Sequence, residues 1–270
     1  MSVKSNYFKM NKEEFENYIN NLKHSSSSIH LLNNKYFYYL STQTNNLIIS
    51  LNKKIIELDS LINSFTPFSK RQIVQSFLIE EIEATNKIEN INSTRHDIFK
   101  IINQASCSKD KKIISISNAY KQLLEFGGIR ITSNKDIRNV YDKILYGAIN
   151  KNDLPDGAFY RKNPVYITDG LSLVHTGTVG EDNIIKLMEE FINLYNSNTE
   201  VLTKMILCHF MIETIHPFYD GNGRISRYVS SYYLSQVIDS IASLRLSIAC
   251  KKRQKDYYSN DDCGCVFSRK

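Results

Sequence analysis

Apolar residues recur at helical spacing along most of this chain, and few residues interrupt them. Leu40, Leu47, Leu51, Ile55, Leu58 and Ile62 fall three, four and seven apart, the stripe of an amphipathic helix. Ile73, Phe77, Ala84 and Ile88 predict a second helix beginning near Ser69, and Pro67 is expected to end the first. Residues 115–126 read as a third, stopped by Gly127 and Gly128. Ser133-Asn-Lys-Asp136 forms a capping box before Ile137, Val140, Tyr141 and Ile144. The spacing returns at Ile184, Met188, Phe191 and Tyr195, again at Leu202, Met205, Ile206 and Ile212, and finally at Ile225, Val229, Tyr232 and Tyr233. Ten glycines and four prolines in 270 residues are too few for a sandwich, which needs a turn every 8–12 residues or so.

One stretch departs from this pattern. Residues 155–180 hold two of the prolines and four of the glycines. Val165-Tyr166-Ile167 and Leu171, Leu173, Val174 predict two short strands around Asp169-Gly170, a hairpin signal. The expected fold class is therefore all-α, a helical bundle with one small β-hairpin. Its expected organisation is a polar, Asn- and Ser-rich segment over 1–35, a helical region over 36–110, a core over 111–250 and a basic tail over 251–270.

Composition narrows the class of function. No apolar run nears the roughly 18 residues that span a bilayer, and MSVKSNYFKMNKEEFENY lacks a signal peptide's apolar core, so a cytoplasmic protein without membrane association is expected. Five cysteines, an odd number, fit reduced thiols; Cys263 and Cys265 form a CxC with no second pair, which argues against zinc. Lys and Arg (34) exceed Asp and Glu (28) by 6, and the last 20 residues carry half the surplus. Such a tail could touch nucleic acid or an anionic surface, although a solvated end is the simpler reading.

The chemistry gathers in His216-Pro-Phe-Tyr-Asp-Gly-Asn-Gly-Arg-Ile-Ser-Arg227. Gly221-Asn222-Gly223 leading into a helix offers free backbone N–H groups and the positive end of a dipole, which suit phosphate oxygens. Arg224 and Arg227, three apart, share a helix face and can grip outer phosphates. Asp220 could hold Mg²⁺ jointly with those phosphates. His216, with an ordinary pKa near 6.5, could accept a hydroxyl proton. Each piece has a plain structural alternative, namely a helix-end histidine, a turn and a solvated helix face. Their crowding into 12 residues favours phosphate chemistry.

This segment resembles the HPFx(D/E)GNGRxxR signature of Fic proteins, without mismatch. The resemblance implies a Fic-type helical bundle whose hairpin is a flap, and a protein adenylyltransferase that moves AMP from ATP to a Ser, Thr or Tyr hydroxyl of a protein. It implies His216 as general base, Asp220 as Mg²⁺ ligand, Gly221–Gly223 as anion hole, Asn222 at the α-phosphate, and Arg224 and Arg227 at the outer phosphates. Thr85-Asn-Lys-Ile-Glu89-Asn90 is similar to the inhibitory (S/T)xxxE(G/N) motif, which implies that Glu89 reaches Arg227. It also implies that Glu89 could align water for removal of AMP. Val165, Tyr166, Ile167 and Thr168 match the flap strand that receives a target segment by strand addition. Tyr257-Tyr258 resembles the pair placed beside adenine. The class further suggests self-modification and a homodimer. Nothing resembling a winged helix follows the tyrosines, so no nucleic-acid partner is expected. The alternatives are a Fic-fold phosphotransferase or phosphocholine transferase, and a non-catalytic regulator binding nucleotide or nucleic acid.

Overall fold

A computed structural model describes residues 9–25, 28–103, 111–126, 130–168, 173–237 and 240–258. Gly127, Gly128 and the Asp169-Gly170 turn lie outside the described residues, as do Cys263 and Cys265. The chain divides into two compact units, residues 1–54 with 253–270, and residues 55–252.

In the first unit, helix α1 (Lys12–Lys23) opens with a reciprocal capping box. Glu14 N–H donates to Asn11 Oδ1 at 2.9 Å and Asn11 N–H to Glu14 Oε2 at 3.0 Å. A hairpin follows, β1 (Ser28–Leu31) antiparallel to β2 (Tyr36–Tyr39), with Ser28 opposite Tyr39 and Leu31 opposite Tyr36. The polar segment expected over 1–35 thus holds a helix and a strand, and the fold has a second hairpin that the sequence reading lacked. The four aromatics 36–39 favour a strand over the helix expected from Lys35, and Leu32, Asn33 and Asn34 turn the chain at positive φ (54, 55 and 60°). Helix α2 (Thr42–Asn63) contains the division between the units.

The second unit is helical. Helix α3 (Pro67–Ile88) starts where the sequence placed a stop, because Pro67 occupies the first helical position behind the Thr66 cap, whose Oγ1 accepts from Ser69 N–H at 3.2 Å. Helices α4 (Arg95–Ile102), α5 (Lys111–Phe126) and α6 (Asn134–Ile144) follow, the last with the predicted Ser133/Asp136 capping box. Strands β3 (Tyr166–Thr168) and β4 (Leu173–Thr176) pair antiparallel, with an irregularity between Ile167 and Thr168. Then come α7 (Glu181–Tyr195), α8 (Val201–Ile215), α9 (Asn222–Val237), α10 (Ser240–Ser243) and α11 (Leu246–Lys252).

Helix α8 packs between α7 and α9, and α3 packs along α11. The buried core runs through Ile82, Ile98, Tyr120, Ile137, Phe191 and Phe218. Phe218 comes from the α8–α9 loop, yet its ring stacks on Tyr141 (centroids 3.9 Å) and meets Tyr160 edge-on (5.5 Å), so the chemical loop is nailed into the core. Among the described residues, no helix is long and apolar enough to cross a membrane.

Candidate active site

Helix α8 ends on His216, held in the left-handed region (φ 53°, ψ 62°). For a residue with a Cβ this costs roughly 1–2 kcal/mol, so the surroundings must hold it there. Its N–H still closes on Ile212 O at 2.9 Å. Its Nδ1 lies 3.3 Å from Glu213 O, an acceptor only, so Nδ1 carries the proton and Nε2 keeps its lone pair. Burial pushes the imidazole pKa down; Glu213 opposes this, while Arg161 and His175 add to it. The ring is therefore neutral near pH 7 and able to accept a proton.

The turn after it is shaped by side chains. Asn222 is buried and clamps Phe218: Phe218 N–H donates to Oδ1 at 3.0 Å, and Nδ2 donates to Phe218 O at 2.8 Å. The Asn222 side chain thus closes the loop, and its backbone N–H is what it can present to an anion. Gly221 has φ 89°, and an added Cβ would lie 2.2 Å from Leu145 Cδ1, so both backbone and packing demand glycine. The first i→i−4 bond of α9 joins Ile225 N–H to Gly221 O, and the three amides before it, of Asn222, Gly223 and Arg224, form the helix's anion-attracting end.

Both arginines are buried, Arg224 at 4% and Arg227 at 1% exposure. Arg224 Nη2 holds both carboxylate oxygens of Asp220 at 3.1 Å, and its Nε is buried with no hydrogen-bond partner among the described residues. That Nε–H, beside the anion-attracting turn, is a donor an anion's oxygen could use. Arg227 donates through Nε to Thr85 Oγ1 at 3.0 Å and through Nη2 to Glu89 Oε1 at 2.5 Å. The expected reach of Glu89 to Arg227 across 138 residues is present.

Local sequence explains how Glu89 is presented. It caps α3, and Asn90 follows at φ 55°, with Ile91 N–H on Asn86 O (2.9 Å) and Asn90 N–H on Lys87 O (3.3 Å), a Schellman closure. Thr85 and Glu89, four apart, then lie on one face toward Arg227. The carboxylate also lies against the anion turn, since a Cβ at Gly223 would be 2.8 Å from Glu89 Oε1.

The flap strand is less uniform than expected. Val165 and Ile167 are half-buried, and Tyr166 is exposed; the side chain of Thr168 lies outside the described residues. Tyr257 and Tyr258 lie on the short helix α12 (Gln254–Tyr258), in the other unit.

Several residues at the site escaped the sequence reading. Arg161 is completely buried and donates from Nε to His216 O at 2.8 Å. Ser226 donates its hydroxyl to the Glu213 carboxylate. Tyr219 OH donates to Asp156 Oδ1 at 3.0 Å and accepts from Asn163 N–H at 3.0 Å. Tyr219 and Ser226 stand at variable positions of the His216–Arg227 segment, and Arg161 stands in no motif the sequence analysis singled out.

A neutral histidine, an anion-attracting turn and two buried arginines thus meet in the helical core, an arrangement complementary to anionic groups. Residues 131–234 match the Fic/DOC family, and the chain carries a Fic/DOC domain there. The family transfers nucleotide or phosphate-containing groups to proteins. A Fic family protein from Desulfovibrio desulfuricans shares the fold (TM-score 0.64, 24% identity, 82% of this chain and 66% of that one). So do a Fic-domain signaling protein from Bacteroides thetaiotaomicron (0.56, 18%, 68% and 72%) and Fic-1 from C. elegans, residues 134–508 (0.51, 14%, 79% and 74%). The chain therefore spans just under two-thirds of the length of the D. desulfuricans protein.

Proposed function

We propose that this protein is a self-inhibited adenylyltransferase, moving AMP from ATP to a hydroxyl of a protein substrate. The observation that carries the reading is the occupied Arg227: a buried guanidinium at an anion turn, bonded to a carboxylate brought from a distant helix. Carboxylate and phosphate oxygens accept from the same guanidinium donors, so Glu89, bonded to Nη2 of Arg227, would compete with a phosphate for it.

In the working arrangement the amides at the start of α9 would hold the α-phosphate, and Arg224 and Arg227 the outer ones. His216 Nε2 would take the proton of the attacking hydroxyl, with the Nδ1–H held on Glu213 O, and pyrophosphate would leave on the opposite side. Asp220 is the residue to hold a Mg²⁺. One carboxylate, 45% exposed, suits an ion that takes its other ligands from water and phosphate, and the ion would neutralise phosphate charge. While Glu89 keeps Arg227, the outer phosphates lack their partner and the α-phosphate is out of line for attack. Its place against Gly223 also lets the carboxylate orient water for AMP removal.

The test is ATP labelled in turn at the α- and γ-phosphate, incubated with the Glu89→Gly protein, Mg²⁺ and a cell lysate, and compared with the lysate alone. Label from the α-position on protein supports the proposal. Label from the γ-position means phosphorylation, and no label from either means a binding protein.

A further inference from the structure

The end of α8 presents five successive carbonyls, 213–217, and every one is bonded. Glu213 O accepts from His216 Nδ1 at 3.3 Å, within the loop itself. The other four are met by the segment that carries the flap. Thr214 O lies 2.7 Å from His175 Nε2, and Ile215 O accepts from Thr178 N–H at 2.9 Å. His216 O accepts from Arg161 Nε at 2.8 Å, and Pro217 O from Arg161 N–H at 3.2 Å.

Arg161 is the centre of this arrangement. Its Nη1 donates to Asn163 O at 2.6 Å, on the approach to β3, and its Nη2 to Thr178 O at 2.8 Å, just past β4. One guanidinium therefore ties both ends of the hairpin to the carbonyl of the histidine. Gly177 leaves the room for it, since a Cβ there would lie 2.5 Å from Arg161 Nη2 and 3.0 Å from His216 Cβ. The cation is fully buried and, among the described residues, no carboxylate lies within ion-pair distance of it; carbonyl dipoles alone offset its desolvation. For mere packing, a neutral side chain would hold this position at lower cost.

We propose that Arg161 is a positioning residue of the transfer reaction, fixing the left-handed His216 and the β3–β4 hairpin as one body so that base and target strand keep a set distance. The use of that distance rests on the adenylyltransferase reading; the anchoring does not. Lysine keeps the charge but has one nitrogen where three carbonyls need donors, so Arg161→Lys separates geometry from charge.

The experiment uses the full chain with Glu89→Gly, alone and combined with Arg161→Lys or Gly177→Ala. It reads AMP transfer, ATP affinity, hydrogen exchange of the Thr178 amide, and the NMR titration of the His216 ring. Glu213, Arg161 and His175 are the charged or titratable groups facing that ring. Both variants are expected to lower kcat about 10–100-fold with ATP affinity kept, because a displacement near 1 Å suffices. Thr178 exchange should quicken about five- to tenfold, the worth of one hydrogen bond. A third variant, Arg161→Met, removes the charge and should raise the His216 pKa, whereas Arg161→Lys should not.

Unchanged Thr178 exchange and unchanged kcat in Gly177→Ala overturn the proposal, even where Arg161→Lys fails to fold. Equal losses of kcat and ATP affinity also overturn it, since they mark general loosening. A Glu89→Gly parent that transfers no AMP sinks the functional reading alone, and Thr178 exchange with the His216 titration still decides the anchoring.

Discussion

Two helix ends converge on this chemistry, and both use a left-handed residue that is not glycine. Helix α3 ends at Glu89 with Asn90 at φ 55°; α8 ends with His216 itself at φ 53°. The first end is self-sufficient, its last carbonyls closed by its own next amides. The second relies on Arg161, His175 and Thr178, 38 to 55 residues earlier in the chain. On the proposed reading the inhibitory end must be able to leave as a unit, and an end whose backbone closes locally gives up only side-chain bonds such as those of Thr85 and Glu89 to Arg227. A catalytic end must not move at all, and bonding to a remote buried cation suits that.

The largest effect should come from the catalytic end. His216→Ala, made in the Glu89→Gly protein, is expected to lose about 10²–10⁴-fold in AMP transfer. ATP affinity measured by calorimetry should be kept, because turn and arginines remain. Undiminished transfer would break the contrast by leaving the strained residue without a chemical role.

Asp220→Ala comes next. It should weaken Mg²⁺-dependent ATP binding by at least the roughly 10–100-fold that losing an outer-shell partner costs. It also frees Arg224 from its pair, so binding without Mg²⁺ should fall far less. Equal losses with and without Mg²⁺ would remove Asp220 as the metal's residue.

At the inhibitory end the expected effect is on stability. Asn90 is exposed, so substitution there tests the backbone alone. Asn90→Ala should cost about 1 kcal/mol and Asn90→Gly almost nothing. For this size that is a Tm drop of about 2–4 °C for alanine only. Equal melting of the two variants would mean that Asn90's conformation does not hold Glu89.

The smallest effect concerns pH. Burial lowers the His216 pKa, so its base form persists below the ordinary value of 6.5, and the acidic limb of kcat/KM should lie at lower pH than that. Glu213 raises the pKa, so Glu213→Gln should move the limb to still lower pH. A limb moving upward would put another group in control.

The same contrast explains what the sequence made legible. Helical periodicity located the core helices, and Ser133/Asp136 capped α6 as read. Glu89 and Asn90 were readable because their closure uses adjacent residues. Pro67 was misread because proline is as well suited to a helix's first position as to the residue after its end. The first hairpin was hidden in a polar segment whose turn uses Leu32, Asn33 and Asn34 rather than glycine. Arg161 was invisible for a general reason. Its role lies in carbonyls of residues far along the chain, and a carbonyl leaves no trace in residue type.

On the proposed reading, Glu89 keeps an adenylyltransferase quiet by holding Arg227. Wild type and Glu89→Gly, incubated side by side with Mg²⁺ and α-labelled ATP, test it most directly through the rate of label transfer to protein. A rise of about tenfold or more is expected in the variant, since Arg227 would be released to the phosphates and alignment of the attacked phosphorus restored. A wild type that transfers AMP as fast as Glu89→Gly would contradict it, leaving the 2.5 Å pair as a strut between helices.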